Sequence, residues 1–178
     1  MKNSVFVLPE HLLYYLRLHS RVVNQKHPKE DGDKNISIYS DPVFETLLLH
    51  LQPTLEQLSQ QKLIPTYSYF RTYKKGSDLK NHTDRESCEY STTILLDCSE
   101  PNTPWEIFVD KKPFALKLGQ GVIYKGIEQE HYRNACPMEY SSHVFLHYVN
   151  ANGPHKDFAF DKRPRTHLVS QGTRWKEI

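Results

Sequence analysis

The sequence is poor in cysteine, in glycine and in uninterrupted apolar stretches. Only Cys88, Cys98 and Cys136 occur among 178 residues. The number is odd and no Cys-x-x-Cys spacing appears, which argues against a disulfide framework or a zinc knuckle and predicts a reducing, cytoplasmic setting. Glycine occurs seven times, and the sequence contains neither a phosphate loop nor a Gly-x-Ser-x-Gly elbow. No apolar run approaches the length that spans a bilayer, so no membrane partner is expected. The opening run Val5-Phe6-Val7-Leu8 stops at Pro9, too early for a secretory leader. Neither sign of charge is in excess: 23 lysines and arginines stand against 21 aspartates and glutamates. Nothing global therefore calls for a nucleic acid or an anionic surface.

The chain has the size of one ordinary domain, with 38% apolar and 25% charged residues, as in a folded globular protein. Eleven tyrosines and eight phenylalanines point to a sheet-rich core. Leu12, Leu13, Leu16, Val22 and Val23 recur at roughly helical spacing and predict a helix over 10–24. Residues 27–35 read as a polar loop and 36–39 as a short strand. Ser40-Asp41-Pro42 resembles a helix start, and Phe44, Leu47, Leu48, Leu51, Leu55 and Leu58 continue at helical spacing. Pro53 should kink or split that helix.

From Leu63 the period becomes two. Strands are expected over 64–73, 88–96, 105–109, 114–118, 121–124 and 143–149, separated by turns such as Lys75-Gly76-Ser77-Asp78. Two helices followed by many short strands predict a mainly β (α+β) fold, a double-stranded β-helix or jelly roll with N-terminal helices on one side. The expected organisation is one domain: helical support over 1–62, jelly-roll core over 63–150 and a polar tail over 151–178 that wraps the surface or frays.

The informative stretch is Lys80-Asn81-His82-Thr83-Asp84-Arg85. Residues two apart on an extended strand point the same way, so His82 and Asp84 can both aim into a barrel mouth. An imidazole and a carboxylate supply two positions of a facial metal triad, and a second histidine would supply the third. A lone His-x-Asp also arises by chance in a chain with ten histidines, where it would be an ordinary surface loop. His131 is the first choice for the third position, because it follows a glycine-containing turn and precedes a basic residue. His143 and His147 compete, with His147 deep enough in its strand to suit the core or a supporting role.

Taken together these elements resemble the iron(II)/2-oxoglutarate-dependent oxygenases, especially the compact prolyl-hydroxylase-like branch. Tyr73-Lys74-Lys75-Gly76, His82-Thr83-Asp84 and the strand from Ser91 to Asp97 are similar to the first half of that core. The segment Leu118-Gly119-Gln120-Gly121-Val122-Ile123-Tyr124-Lys125-Gly126, leading to His131-Tyr132-Arg133, is similar to the second half. The likeness covers about residues 67–150. It implies iron(II) at His82, Asp84 and His131, 2-oxoglutarate and dioxygen as cosubstrates, and hydroxylation of a peptidyl (prolyl-like), amino-acid or other small-molecule substrate. The metal and cosubstrate carry the hard chemistry, so no nucleophile is needed. Cys88 and Cys136 suit small strand and loop positions.

In the prolyl-hydroxylase-like enzymes a basic residue about ten positions after the distal histidine holds the far carboxylate of 2-oxoglutarate. Here that region reads Glu139-Tyr140-Ser141-Ser142, with no basic residue. Arg133 shares the inward face of His131 and is the replacement candidate, since a guanidinium fork matches a carboxylate. Arg71 is the second candidate. Tyr67, Tyr69, Arg71 and Tyr73 share one face, either a polar lining for the dicarboxylate or the solvated side of an edge strand. Arg85 is expected at the mouth, pairing with Glu86 or Glu89 or meeting substrate. Three rival readings remain: a cupin-like metal protein that does not use 2-oxoglutarate, a non-catalytic β-sandwich, and nucleic-acid oxidation. The last rests on Lys74-Lys75 and Lys162-Arg163-Pro164-Arg165, a footprint too short for a nucleic-acid partner to be expected.

Overall fold

The computed structural model describes residues 2–26 and 35–163. Most of the expected 27–35 loop, and the tail beyond Arg163 with Pro164 and Arg165, lie outside the described residues. In chain order the elements are β1 (Ser4–Val7), α1 (Glu10–Lys26), β2 (Ile36–Tyr39), α2 (Pro42–Ser59), β3 (Leu63–Lys74), β4 (Leu79–His82), a 3-10 turn (Glu86–Cys88) and β5 (Tyr90–Cys98). Then come β6 (Ile107–Val109), β7 (Lys112–Phe114), β8 (Gln120–Tyr124), β9 (His131–Arg133), β10 (Tyr140–Asn150) and a second 3-10 segment (Lys156–Lys162). The strands form two antiparallel sheets, ordered β1-β8-β5-β10-β3-β2 and β4-β9-β6-β7.

Side-chain alternation divides the interior in two. From β5 and β10, Ile94, Leu96, Val144, Leu146 and Tyr148 face the helices and join Leu16, Phe44, Leu48 and Leu55 in one core. The intervening Leu95 and Phe145 face the smaller sheet and meet Trp105, Ile107, Val109 and Tyr124 in another. Both faces of the large sheet are covered, so every residue of β5 is buried and its sequence shows no polar face. The fold class is the expected one, a mainly β jelly roll with the two helices packed on one side.

The helix expected to kink or split at Pro53 is not split and runs on to Ser59. Leu51 and Leu55 flank the proline and both enter the helix-side core, so packing outweighs the lost backbone bond. Asp41 caps this helix by accepting from the Val43 and Phe44 amides, and it also receives His19 Nε2 at 2.8 Å from α1. The strand expected over 88–96 starts later, after a 3-10 turn. The strand expected over 114–118 is instead the end of a tight hairpin, Lys112–Phe114, turned by Asp110 and Lys111 at positive φ. Three short strands escape the sequence reading: β1, which pairs with β8, and β4 and β9, which pair with each other.

The charged residue in β5 is Asp97. Its carboxylate takes Arg17 and Arg21 from α1 at 2.9 and 2.8 Å, clamping that helix across the sheet. No helix among the described residues is long and apolar enough to cross a membrane.

Candidate metal centre

Strands β4 and β9 place His82 opposite His131 in register. Asp84 follows β4 directly, and its amide donates to the Gly126 carbonyl at 2.8 Å. The result is a convergence: His82 Nε2 and His131 Nε2 each lie 3.5 Å from Asp84 Oδ1. Each imidazole is oriented from behind. His82 Nδ1 donates to the Lys80 carbonyl at 2.7 Å and His131 Nδ1 to the Gln129 carbonyl at 3.0 Å. A carbonyl can only accept, so each Nδ1 carries a proton, while each Nε2 faces the carboxylate and would give up its own proton when a metal binds. This is how metal-binding histidines are held. Two imidazole nitrogens and one carboxylate oxygen suit a divalent transition metal and leave the remaining coordination positions open. By residue chemistry and orientation, these three side chains fit a metal ion.

The carboxylate is ionised in this setting. Burial opposes its charge, but the bonds to His131 and His82 prevail and hold it well below the usual range. Its other oxygen, Oδ2, accepts from Ser91 Oγ at 3.0 Å. Gly126 lies against it: a Cβ there would collide with Asp84 Oδ2, the Cys88 carbonyl and Ser91 Oγ.

The centre opens onto a cavity of about 240 Å³ lined by Tyr67, Tyr69, Arg71, Tyr73, Tyr124 and Phe145, among others. The row Tyr67, Tyr69, Arg71, Tyr73 is therefore a lining. Strand β3 is paired on both sides, by β10 and β2, and is not a solvated edge. An outer groove of about 660 Å³ adjoins the cavity, and Arg71 and His82 border both spaces.

Arg133 does not line the cavity. It lies buried beside Tyr73 and Tyr124, which do. Its guanidinium rests 4.7 Å from the Trp105 ring centre and donates to the Trp105 carbonyl at 3.1 Å. It approaches His143 Nδ1 at 3.4 Å, and its Nε has no hydrogen-bond partner. No carboxylate pairs with it among the described residues. Burial pushes the pKa of Arg133 down, yet a guanidinium does not lose its proton in proteins. An isolated buried cation of this kind favours an anion nearby.

His143 stands away from the metal centre, bonded to Ser141 Oγ at 2.9 Å. Burial and Arg133 together hold it neutral, well below the ordinary histidine range. His147 lies nearer, its Nδ1 2.9 Å from Ser91 Oγ. Burial pushes His147 down to about 4. Arg85 does not pair with Glu86 or Glu89. Asp161 takes both of its terminal nitrogens at 2.8 Å, and the guanidinium stacks 4.6 Å from the Tyr67 ring centre. Glu89 is engaged elsewhere, accepting from the Asn150 amide. Sequence reasoning passed over Ser91, Tyr124 and Gly126. For Tyr124 the signal is its position at the end of the glycine-led strand; for Ser91 no local pattern exists.

No protein-family model matches the chain, and no curated protein matches it. Solved structures do. One is the non-haem alpha-ketoglutarate-dependent carbocyclase SnoK from nogalamycin biosynthesis, with TM-score 0.67 and 13% identity over 84% of this chain and 79% of that one. A prolyl-4-hydroxylase from Pseudomonas putida aligns with TM-score 0.64 and 15% identity over 83% and 92%. EctD from S. alaskensis, solved with bound iron, aligns with TM-score 0.66 and 14% identity over 84% and 73%. The chain thus carries the jelly-roll fold of the iron(II)/2-oxoglutarate-dependent oxygenases.

Proposed function

We propose that this protein is a non-haem iron(II) oxygenase that uses 2-oxoglutarate and dioxygen to hydroxylate a peptidyl or amino-acid side chain. The observation that carries this reading is the convergence of His82, Asp84 and His131 on a small tyrosine-lined cavity, within the oxygenase fold. Iron(II) and 2-oxoglutarate, held by His82, Asp84 and His131, would supply dioxygen activation coupled to release of succinate and carbon dioxide, for hydroxylation of a substrate C–H bond.

The side chains have separable tasks. His82 and His131 present lone pairs from fixed ring orientations, and Asp84 supplies the negative charge. The cavity, about 240 Å³, is of a size for a dicarboxylate rather than a drug-sized molecule. Arg133 is the proposed partner of the far carboxylate, which would have to pass between Tyr73 and Tyr124 at the cavity wall to reach it. That carboxylate would relieve an unpaired buried cation, which replaces the basic residue absent from β10. Arg71, on the border of cavity and groove, lies where a substrate would enter.

The absence of a basic residue on β10 favours the second reading, a cupin-like metal protein that does not use 2-oxoglutarate. One experiment separates the two. Anaerobic iron(II) protein is mixed with 2-oxoglutarate and followed for the metal-to-ligand charge-transfer band, and succinate is then measured in air. The oxygenase reading expects both signals in the wild type and neither in His82→Ala or Asp84→Ala. Metal binding without the band supports the second reading, and succinate formation that survives both substitutions overturns the metal assignment.

A further inference from the structure

The Asp84 carboxylate has two sides, and only one faces the histidine pair. Oδ1 meets His82 and His131, while Oδ2 turns toward Ser91. Asp84 also belongs to another convergent set, with Cys88 and His147, whose donor atoms all lie within 4.8 Å of one another. The three come from different elements: the segment after β4, the end of a 3-10 turn, and β10. The set therefore depends on the tertiary fold.

Its hydrogen bonding leaves a donor free. Ser91 Oγ has one proton and two neighbours that only accept, Asp84 Oδ2 and the Cys88 carbonyl. The third neighbour, His147 Nδ1, must then donate to Ser91 Oγ. The lone pair of His147 is left on Nε2, which has no hydrogen-bond partner among the described residues. His147 is 6% exposed. An imidazole that borders the cavity, beside a buried thiol and a carboxylate, is a metal-ligand set with a soft member.

We propose that Asp84, Cys88 and His147 form a second metal site, adjacent to the first and sharing Asp84 with it, selective for a thiophilic divalent cation such as zinc. Loading it exchanges the Cys88 thiol proton for a metal–sulfur bond. The proton leaves to solvent, and the Tyr67 hydroxyl gives up its 3.1 Å contact with Cys88 Sγ. The two sites differ in character. His82, Asp84 and His131 offer nitrogen and oxygen only, whereas the second set adds sulfur, which zinc and cobalt hold more strongly than magnesium or calcium do. A cation held by this set would also draw charge from the shared carboxylate and weaken the first site. The proposed function does not depend on this second site.

Cobalt(II) is the probe, because a thiolate ligand gives it an intense charge-transfer absorption that imidazole and carboxylate alone do not. Wild-type protein and His82→Ala are titrated anaerobically with cobalt(II). Both should show the thiolate band, since His82→Ala damages only the first site. Cys88→Ser and His147→Gln should lose the band, while Cys88→Ser keeps the iron(II)/2-oxoglutarate band of the first site. Thermal melts confirm that each variant is folded, and the two independent variants guard against one of them failing to fold. The proposal is overturned if saturating cobalt gives no thiolate band in the wild type, or if the band survives Cys88→Ser. Failure of the oxygenase reading would appear separately, as loss of the iron(II)/2-oxoglutarate band with the cobalt–thiolate band intact.

Discussion

Arg85 and Asp161 meet through two parallel contacts of 2.8 Å each, tying the residue after Asp84 to the 3-10 segment Lys156–Lys162. Asp161 also accepts from the Tyr39 hydroxyl at 2.5 Å. Arg163 anchors the same segment to Glu45 at 2.7 Å, to the Thr66 carbonyl at 2.8 Å and to Ser40 Oγ. These contacts hold Phe160, Asp161 and Lys162 in consecutive left-handed conformations, φ 50°, 55° and 57°. Such conformations cost non-glycine residues about 1 kcal/mol or more each and persist only where the surroundings enforce them.

Asp161→Asn is therefore expected to loosen both the segment and Arg85. Iron(II) affinity should fall by roughly threefold to tenfold, below the range for losing a direct partner of a metal ligand. Limited proteolysis should show faster cleavage between residues 156 and 163. An iron titration and a digestion time course check the two effects, and unchanged iron affinity would confine the ion pair to a surface role.

Asp97 sets an acid limit on stability. Burial opposes its charge, but Arg21 and Arg17 hold its carboxyl below the ordinary range. A carboxyl depressed in the folded state stabilises fully above its unfolded pKa, near 4, and loses that contribution as pH falls through the folded value. Asp97→Asn should cost about 1.5–3 kcal/mol at neutral pH, the worth of hydrogen bonds to charged groups. It should also flatten the decline in stability below about pH 4. Urea midpoints measured between neutral and acidic pH test both.

Arg133→Met should leave the metal-free protein as stable as before or more so, because it removes an uncompensated buried charge. The same change should weaken 2-oxoglutarate by about thirtyfold or more, the scale of losing a buried charged partner. Iron binding itself should stay within about twofold, since no triad side chain contacts the substituted group. Melting curves and a 2-oxoglutarate titration of the charge-transfer band provide the comparison. If affinity is unchanged, Arg71→Met is the variant expected to lose it.

Phe70→Ala addresses the other side of the sheet. Phe70 is fully buried and stacks on Phe44 at 5.1 Å. Its loss should cost about 3–5 kcal/mol in chemical denaturation. Metal affinity of the folded variant should be preserved, because the residue faces the helices.

His82 and Asp84 were legible because a two-residue spacing on an extended segment carries its geometry with it. For His131 the signal over His143 and His147 is its place after a glycine-containing turn and before a basic residue, and the structure puts the three in different surroundings. Arg133 followed from strand alternation with His131. The alternating face of Tyr67, Tyr69, Arg71 and Tyr73 was visible, but not its direction, which depends on β2 and β10 flanking β3. The strands that hold the histidines stayed hidden because three or four residues carry no measurable period. Asp161 and Ser91 were invisible for a different reason. Their roles come from partners supplied by tertiary contacts, 76 residues away in the case of Arg85.

Gly126 has no side chain where the Asp84 carboxylate, the Cys88 carbonyl and the Ser91 hydroxyl crowd together. A single added methyl group would press on the acid that both proposed cation positions depend on, while leaving the two apolar cores untouched. Gly126→Ala is thus expected to lower the melting temperature, because the Cys88 carbonyl is backbone and cannot swing aside, and to weaken iron and cobalt binding together; melting curves and metal titrations read the two effects. The room left by one missing methyl group couples the fold of this turn to the position of the acid.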